Sequence, residues 1–267
     1  MTTLLLVHAH PDDESILTGG VIARAHLDGH RVVLITATRG EDGEVEAADA
    51  AAEQPLPAGV RSEELRQACA ILGVDRQAFL DYRGAGRGED AGEAGARSFH
   101  LAPLHQVADR LAVLLREERP EVLVTYGADG TYGHPDHRRA HAATMAALDL
   151  LAAEGWRPAK VYLHAIPRGL VRAVVAAAGA NGIELPVAVA GMEGTSEDEI
   201  TTQVDVSDVL DRKLAACTVH HSQMHPGIPL AAIAAQLFEA AFAIERFTLA
   251  RGELAGTRPE TDLFAGL

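Results

Sequence analysis

Basic residues are scarce in this chain: 23 Lys and Arg stand against 38 Asp and Glu, a formal charge of -15 at pH 7. A phosphate-backbone footprint needs clustered Lys and Arg, and the clusters here are as short as Arg138-Arg139, so no nucleic-acid partner is expected. Aromatic residues make up only 4% of the chain, too few to suggest a base-stacking platform. The two cysteines, Cys69 and Cys217, fall in segments that read as helices and form no CxxC pair, which argues against a disulfide framework and a thiolate zinc site. No stretch approaches twenty uninterrupted apolar residues, so no membrane-spanning helix is expected. Met1-Thr2-Thr3 runs straight into Leu4 to Val7 without a basic flank or a small-residue cleavage site, so cytoplasmic residence is the expectation. Also missing are a GxGxxG opening a helix, a GxxxxGK loop and a GxSxG elbow, which removes support for dinucleotide binding, phosphate cradling and serine hydrolysis.

Apolar residues, at 48% of 267, are plentiful enough for a sizeable core. Short apolar or β-branched runs at Leu4 to His8, Val32 to Ala37, Phe79 to Asp81 and Val122 to Tyr126 read as strands. Helical patterns lie between them at Ile16 to His26, Arg61 to Leu72 and Leu104 to Glu118, followed by a helix at Ala140 to Ala153, a strand at Lys160 to Ile166 and a helix at Gly169 to Ala178. This alternation predicts an α/β, Rossmann-like, mostly parallel sheet with helices on both faces. Val204 to His220 and Leu230 to Leu249 read as helices, a C-terminal helical elaboration. With no linker or repeat, residues 1–267 are expected to form a single domain. Gly40 to Gly59 and the glycine-rich Arg83 to Arg97 read as loops over the carboxyl edge of the sheet, either shaping a pocket or forming plain surface.

Two clusters carry the chemistry. His8-Ala9-His10-Pro11-Asp12-Asp13-Glu14-Ser15 leaves the first strand, and Tyr126 to His137, ending Gly133-His134-Pro135-Asp136-His137, leaves the fourth. Each alone has a bland reading, since helix N-termini use Asp as cap and Glu against the dipole, and turns use Pro and Asp freely. Together they leave strand ends on one edge of one parallel sheet, where they can meet. Catalytic zinc takes three His or carboxylate ligands and keeps a fourth position for water. His10, Asp13 and His137 would supply such a set, and the ion would bring the pKa of its water from about 16 to roughly 7. Asp12, beside Asp13, would be the general base. His/carboxylate sites accept Fe(II) as well as Zn(II). His141, four residues after His137, is either an alternative HxxxH partner or a helix-packing residue. His220-His221-Ser222-Gln223 either leans over the site or ends a helix, and His8 reads as packed in the sheet or behind the ligands.

The Ala9-His10-Pro11-Asp12-Asp13-Glu14 run, with Gly133 to His137, resembles the PIG-L/LmbE-type superfamily of zinc deacetylases acting on amino sugars. The resemblance extends over most of the α/β portion. It implies zinc at His10, Asp13 and His137, a general base at Asp12, His134 stabilising the oxyanion and assisting the leaving amine, and Tyr132 offered to the substrate carbonyl. Val60-Arg61-Ser62-Glu63-Glu64-Leu65, Gly84-Ala85-Gly86-Arg87 and the run from Glu260 to Leu267 are most similar to the actinobacterial mycothiol branch, which comprises N-acetylglucosaminyl-inositol deacetylase and mycothiol S-conjugate amidase. Arg61 and Asp90 match its substrate-holding positions, and Glu14 is either a further sugar contact or a group ordering the metal loop. Asp90-Ala91-Gly92-Glu93 departs from the branch, where Asp-Ser-Gly-Met is expected.

The implied activity is hydrolysis of the N-acetyl amide of a small-molecule amino sugar such as N-acetylglucosaminyl-inositol, giving acetate and a free amine. The nearest alternative is a conjugate amidase of the same chemistry with a larger pocket. A non-catalytic metal or sugar-binding module would not need Asp12 and His134 beyond a ligand set. A phosphoester hydrolase lacks an evident second metal site.

Overall fold

The computed structural model describes residues 1–40, 59–84, 98–182, 185, 190–223 and 241–267. Seven strands form one sheet: β1 (Thr3–His8), β2 (Arg31–Thr38), β3 (Arg76–Tyr82), β4 (Val122–Tyr126), β5 (Lys160–His164), β6 (Thr202–Asp205) and β7 (Ile244–Arg251). Their spatial order is β3-β2-β1-β4-β5-β7-β6, with β3 to β5 mutually parallel across the sheet and β7 antiparallel to both its neighbours. The chain winds outward from β1 through β2 to β3, then returns to place β4 on the other flank of β1. The crevice between the carboxyl ends of β1 and β4 is therefore a topological switch point, the place where open α/β sheets bind ligands.

Alternation along β1 explains why it can be apolar throughout: Leu5 and Val7 join the core on one face, Leu4 and Leu6 that on the other. The first core lies under α3 (Leu104–Glu118) and α4 (Pro135–Ala153), the second under α1 (Asp13–Leu27), α2 (Val60–Leu72) and α6 (Leu210–Val219), with α5 (Arg168–Ala180) between α4 and α6 in the chain. Pro135 at the start of α4 needs no amide partner there, and the His134 ring caps the helix by accepting the Asp136 N–H at Nδ1, 3.2 Å away. α2 ends at Gly73 in a left-handed conformation (φ 85°), where a Cβ would stand 2.2 Å from the His26 ring.

The five strands and four helices expected through Ala153 and Ile166 are present, with ends moved by a few residues. The C-terminal reading needs correction. Thr202–Asp205 is a strand, a 3-10 turn at Ser207–Val209 precedes α6, and Ile244–Arg251 is a strand rather than the end of a helix. The reason is the two-residue alternation in Ile244-Glu245-Arg246-Phe247-Thr248, which buries Glu245 and Phe247 on the sheet face covered by α1 and α6 and overrides the helix preference of the alanines before it. The rest of the Leu230 to Leu249 reading, and most of the loops 40–59 and 83–97, lie outside the described residues.

Candidate metal centre and active site

β1 and β4 each end in one of the two clusters, and the sheet brings them into contact. His10, His134 and His137 each offer one ring nitrogen within 4.8 Å of the others. Asp13, at the first turn of α1, completes the group. Its Oδ2 accepts hydrogen bonds from the His10 N–H at 2.9 Å and the Tyr126 hydroxyl at 2.7 Å, while Oδ1 lies 3.4 Å from His137 Nε2. His10 Nδ1 is likewise 3.4 Å from Asp13 Oδ2. Two ligands bound at about 2.0 to 2.2 Å in tetrahedral geometry stand about 3.4 Å apart.

Both ring nitrogens of fully buried His137 lack a hydrogen-bond partner. A buried imidazole left so is costly unless another electrophile meets it. That orphaned ring, facing a carboxylate at ligand-to-ligand distance, fits a cation. So does the outer nitrogen of His10, which donates to Asp136 Oδ2 at 3.0 Å: metal-bound imidazoles ordinarily give their second N–H to a carboxylate, which fixes the tautomer and the ring plane. Burial disfavours a charged His10, but the bonds to Asp13 and Asp136 outweigh it and raise its pKa to about 9. The same groups act on Asp13. Burial opposes its charge, but His137 and His10 hold it well below the usual carboxylate range.

Asp12 stands beside this group with its carboxylate partly open. Burial pushes it up to about 6, helped by the neighbouring Asp13 charge and opposed by Arg61, His10 and His220. A carboxylate near neutrality is suited to proton abstraction. Its backbone is held at φ 119°, a left-handed value costing a non-glycine residue about 1–3 kcal/mol. The surrounding contacts enforce it. Arg61 Nη2 donates to the Pro11 carbonyl at 2.6 Å and to Asp12 Oδ2 at 3.2 Å, and the Asp12 N–H donates to Glu14 Oε2 at 2.9 Å. Arg61, expected as a sugar contact, and Glu14, expected either as a sugar contact or as a group ordering the metal loop, are thus both buried and bonded to the Asp12 loop.

The His134 ring lies 4.8 Å from those of His10 and His137. Burial, with the adjacent His10 and His137 rings, lowers its pKa to about 4, and because Nδ1 accepts the Asp136 N–H the proton of the neutral ring sits on Nε2. Tyr132 packs 5.1 Å from His137 and 5.8 Å from His134, and burial raises its hydroxyl far above the ordinary value, keeping it a donor. Thr131 before it carries φ 69°, so this turn is strained like the Asp12 turn. Asp90 lies outside the described residues.

His8 is buried and bonded to Thr18 Oγ1 at 2.9 Å, burial lowering it to about 4, and His141 Nδ1 meets the Tyr126 carbonyl at 2.9 Å; neither joins the cluster. His220 Nε2 donates to Glu14 Oε1 at 2.7 Å, which puts it behind the metal loop. Sequence reasoning gave no role to Asp136 or Tyr126. Asp136 was visible inside His-Pro-Asp-His as a carboxylate one residue from a ligand, whereas Tyr126 looked like the last residue of a strand.

The family model described as GlcNAc-PI de-N-acetylase, PIG-L, matches residues 5–148. A 1D-myo-inositol 2-acetamido-2-deoxy-alpha-D-glucopyranoside deacetylase of Salinispora arenicola is 42% identical over 288 residues, covering 99% of this chain and 91% of the relative. One of the same name from Thermobifida fusca is 40% identical, covering 98% of each. The fold is shared with the N,N'-diacetylchitobiose deacetylase of Pyrococcus horikoshii (TM-score 0.61, 22% identity, 98% of this chain and 89% of that one). It is shared also with a 4-carboxy-2-hydroxymuconate hydratase of Pseudomonas putida (TM-score 0.58, 18% identity, 96% and 99%), so the architecture alone does not name the reaction.

Proposed function

The chain belongs to the PIG-L family, and from that premise we propose that it is a zinc-dependent N-deacetylase of a glucosamine-type sugar, N-acetylglucosaminyl-inositol being the substrate its relatives' names favour. The observation that carries this is the buried, unpartnered His137 ring facing Asp13 across 3.4 Å, with His10 and His134 around the same point. We take residues 1–267 to act as one domain in the cytoplasm. Among the described residues no helix is long and apolar enough to cross a membrane.

His10, Asp13 and His137 would hold the ion, Fe(II) being a chemically acceptable substitute. His134 is left out of the ligand set because its Nδ1 accepts the Asp136 N–H, which leaves the ring proton on Nε2, the nitrogen that would otherwise ligate. When bound, the ion supplies Lewis-acid polarisation of the amide carbonyl and acidifies a water molecule. Asp12, charged above about pH 6, takes the proton of the attacking water. As the carbonyl carbon becomes tetrahedral, negative charge grows on its oxygen, and the neutral His134 Nε2–H and the Tyr132 hydroxyl are the donors offered to it. The proton taken by Asp12 is then available to the leaving amine, so acetate and a free amine result. Asp90 is retained as a sugar contact, while Arg61 and Glu14 serve the substrate by fixing Asp12. The relatives' names favour the deacetylase over the conjugate amidase.

The test measures bound zinc and acetate release from N-acetylglucosaminyl-inositol. Asp12→Ala keeps the metal and loses about 100-fold or more in kcat, the scale of a general base. His137→Ala loses the metal. A normally active Asp12→Ala removes the base assignment, and a zinc-loaded wild type that releases no acetate removes the function.

A further inference from the structure

Glu14 is fully buried and both its oxygens are used. Oε2 accepts the Asp12 N–H at 2.9 Å; Oε1 accepts the Ser15 hydroxyl at 2.5 Å and His220 Nε2 at 2.7 Å. His220 is itself 1% exposed and stands just past the C-terminus of α6, 206 residues away in sequence. Its place is fixed independently of Glu14. The Ser222 N–H and hydroxyl bind the two oxygens of Glu64 in α2 at 3.0 and 2.6 Å, and α6 approaches α1 so closely that a Cβ on Gly19 would lie 3.1 Å from Lys213 Cγ. The end of α6 is thus held by α1 and α2, the two helices that carry Asp13 and Arg61.

We propose that His220 is a positioning residue for the general base: its Nε2–H sets the Glu14 carboxylate, which holds the Asp12 N–H and so keeps Asp12 at φ 119°. The proposal rests on the reading of Asp12 as the base. Asp12 is held on three sides, its carboxylate and the preceding carbonyl by Arg61, its own carbonyl by the Ser15 and Ile16 N–H groups at 3.0 and 3.1 Å, and its N–H by Glu14. The left-handed backbone turns the Asp12 side chain one way while Asp13, the next residue, enters α1. Without the His220 bond, Glu14 keeps only the Ser15 hydroxyl on Oε1 and can rotate toward it, releasing the N–H that opposes relaxation of φ. The base then drifts from its productive geometry, a displacement that costs turnover rather than substrate binding.

The experiment uses the zinc-loaded full chain and N-acetylglucosaminyl-inositol, comparing His220→Asn and His220→Gln. The amide nitrogen of glutamine reaches the place of Nε2, and that of asparagine reaches only the place of Nδ1. His220→Asn is expected to lose about 10- to 100-fold in kcat with KM and zinc content unchanged, and His220→Gln to recover most of that loss. Wild-type kcat in His220→Asn, equal loss in both variants, a raised KM at unchanged kcat, or failure of both to fold would each overturn the positioning role. Asp12→Asn run alongside separates the two readings. If it is inactive while His220→Asn is fully active, only the positioning role fails; if it is fully active, the base assignment fails and takes this proposal with it.

Discussion

A carboxylate that works as a base near neutrality needs its charge made difficult but not impossible, and Asp12 shows both influences. Burial and Asp13 push its pKa up to about 6; Arg61, with Nη2 3.2 Å from Oδ2, pulls the other way. The base is competent only when deprotonated, so kcat/KM should fall as pH drops through the folded-state value, at about 6 or below once a cation stands beside it. Removing the guanidinium charge leaves burial and Asp13 less opposed. Arg61→Met is therefore predicted to move the acid limb of the kcat/KM profile to higher pH, besides lowering the plateau through the loosened loop. An acid limb that stays in place in Arg61→Met would show that Arg61 does not tune the base.

Helix α1 carries Asp13 and Glu14 in its first turn and is pinned about two turns further on, where the Gly20 and Val21 N–H groups donate to the buried Glu245 carboxylate of β7 at 2.7 and 2.9 Å. That contact requires Gly20. A Cβ there would meet Val206 at 2.4 Å and Glu245 Oε1 at 2.8 Å. Gly20→Ala should thus cost about 1–3 kcal/mol of stability by overpacking. Gly179→Ala in α5, where a Cβ meets nothing within 4 Å, should instead raise stability by about 0.4–1 kcal/mol through a less disordered unfolded chain. Urea denaturation of the two variants checks both signs. The same contact shows where the sequence could be read and where it could not. Leu4 to His8 and Leu104 to Glu118 announce themselves by local period, and His10, Asp13 and His137 by ligand-type residues packed at strand ends. Glu245 in a strand after alanine-rich chain, Tyr126 reaching Asp13 across 113 residues and His220 reaching Glu14 across 206 depend on partners that no local pattern specifies.

The order β3-β2-β1-β4-β5 makes the crevice beside β1, and the antiparallel β7 and β6 extend the sheet beyond β5 on the side away from β3. Besides the β5–β7 ladder and the Glu245 contact with α1, the C-terminal segment ties that edge to the rest. Glu260 bridges to Thr202 through the Gln203 N–H to Glu260 carbonyl and Glu260 N–H to Thr201 carbonyl bonds, 2.8 and 2.9 Å, and its side chain takes Lys160 Nζ at 2.8 Å and the Tyr162 hydroxyl at 2.8 Å from β5. Lys160 and Glu260 are only 3% and 4% exposed, so neither charge can be left alone without a large desolvation cost. A buried pair contributes little relative to an apolar replacement, but removing one partner strands the other, at about 3–5 kcal/mol. Glu260→Leu is accordingly predicted to destabilise the fold by about that amount, and Lys160→Met with Glu260→Leu to recover a large part of it. Lys160 opens β5 beside Val122, at the amino end of the sheet opposite the carboxyl ends that carry the metal-binding clusters, so zinc content per folded molecule should not change in either variant. A double variant as unstable as Glu260→Leu alone would mean that the bonds the Glu260 carboxylate accepts from the Tyr162 hydroxyl and the Ala255 N–H, rather than charge pairing, set the value of this tether.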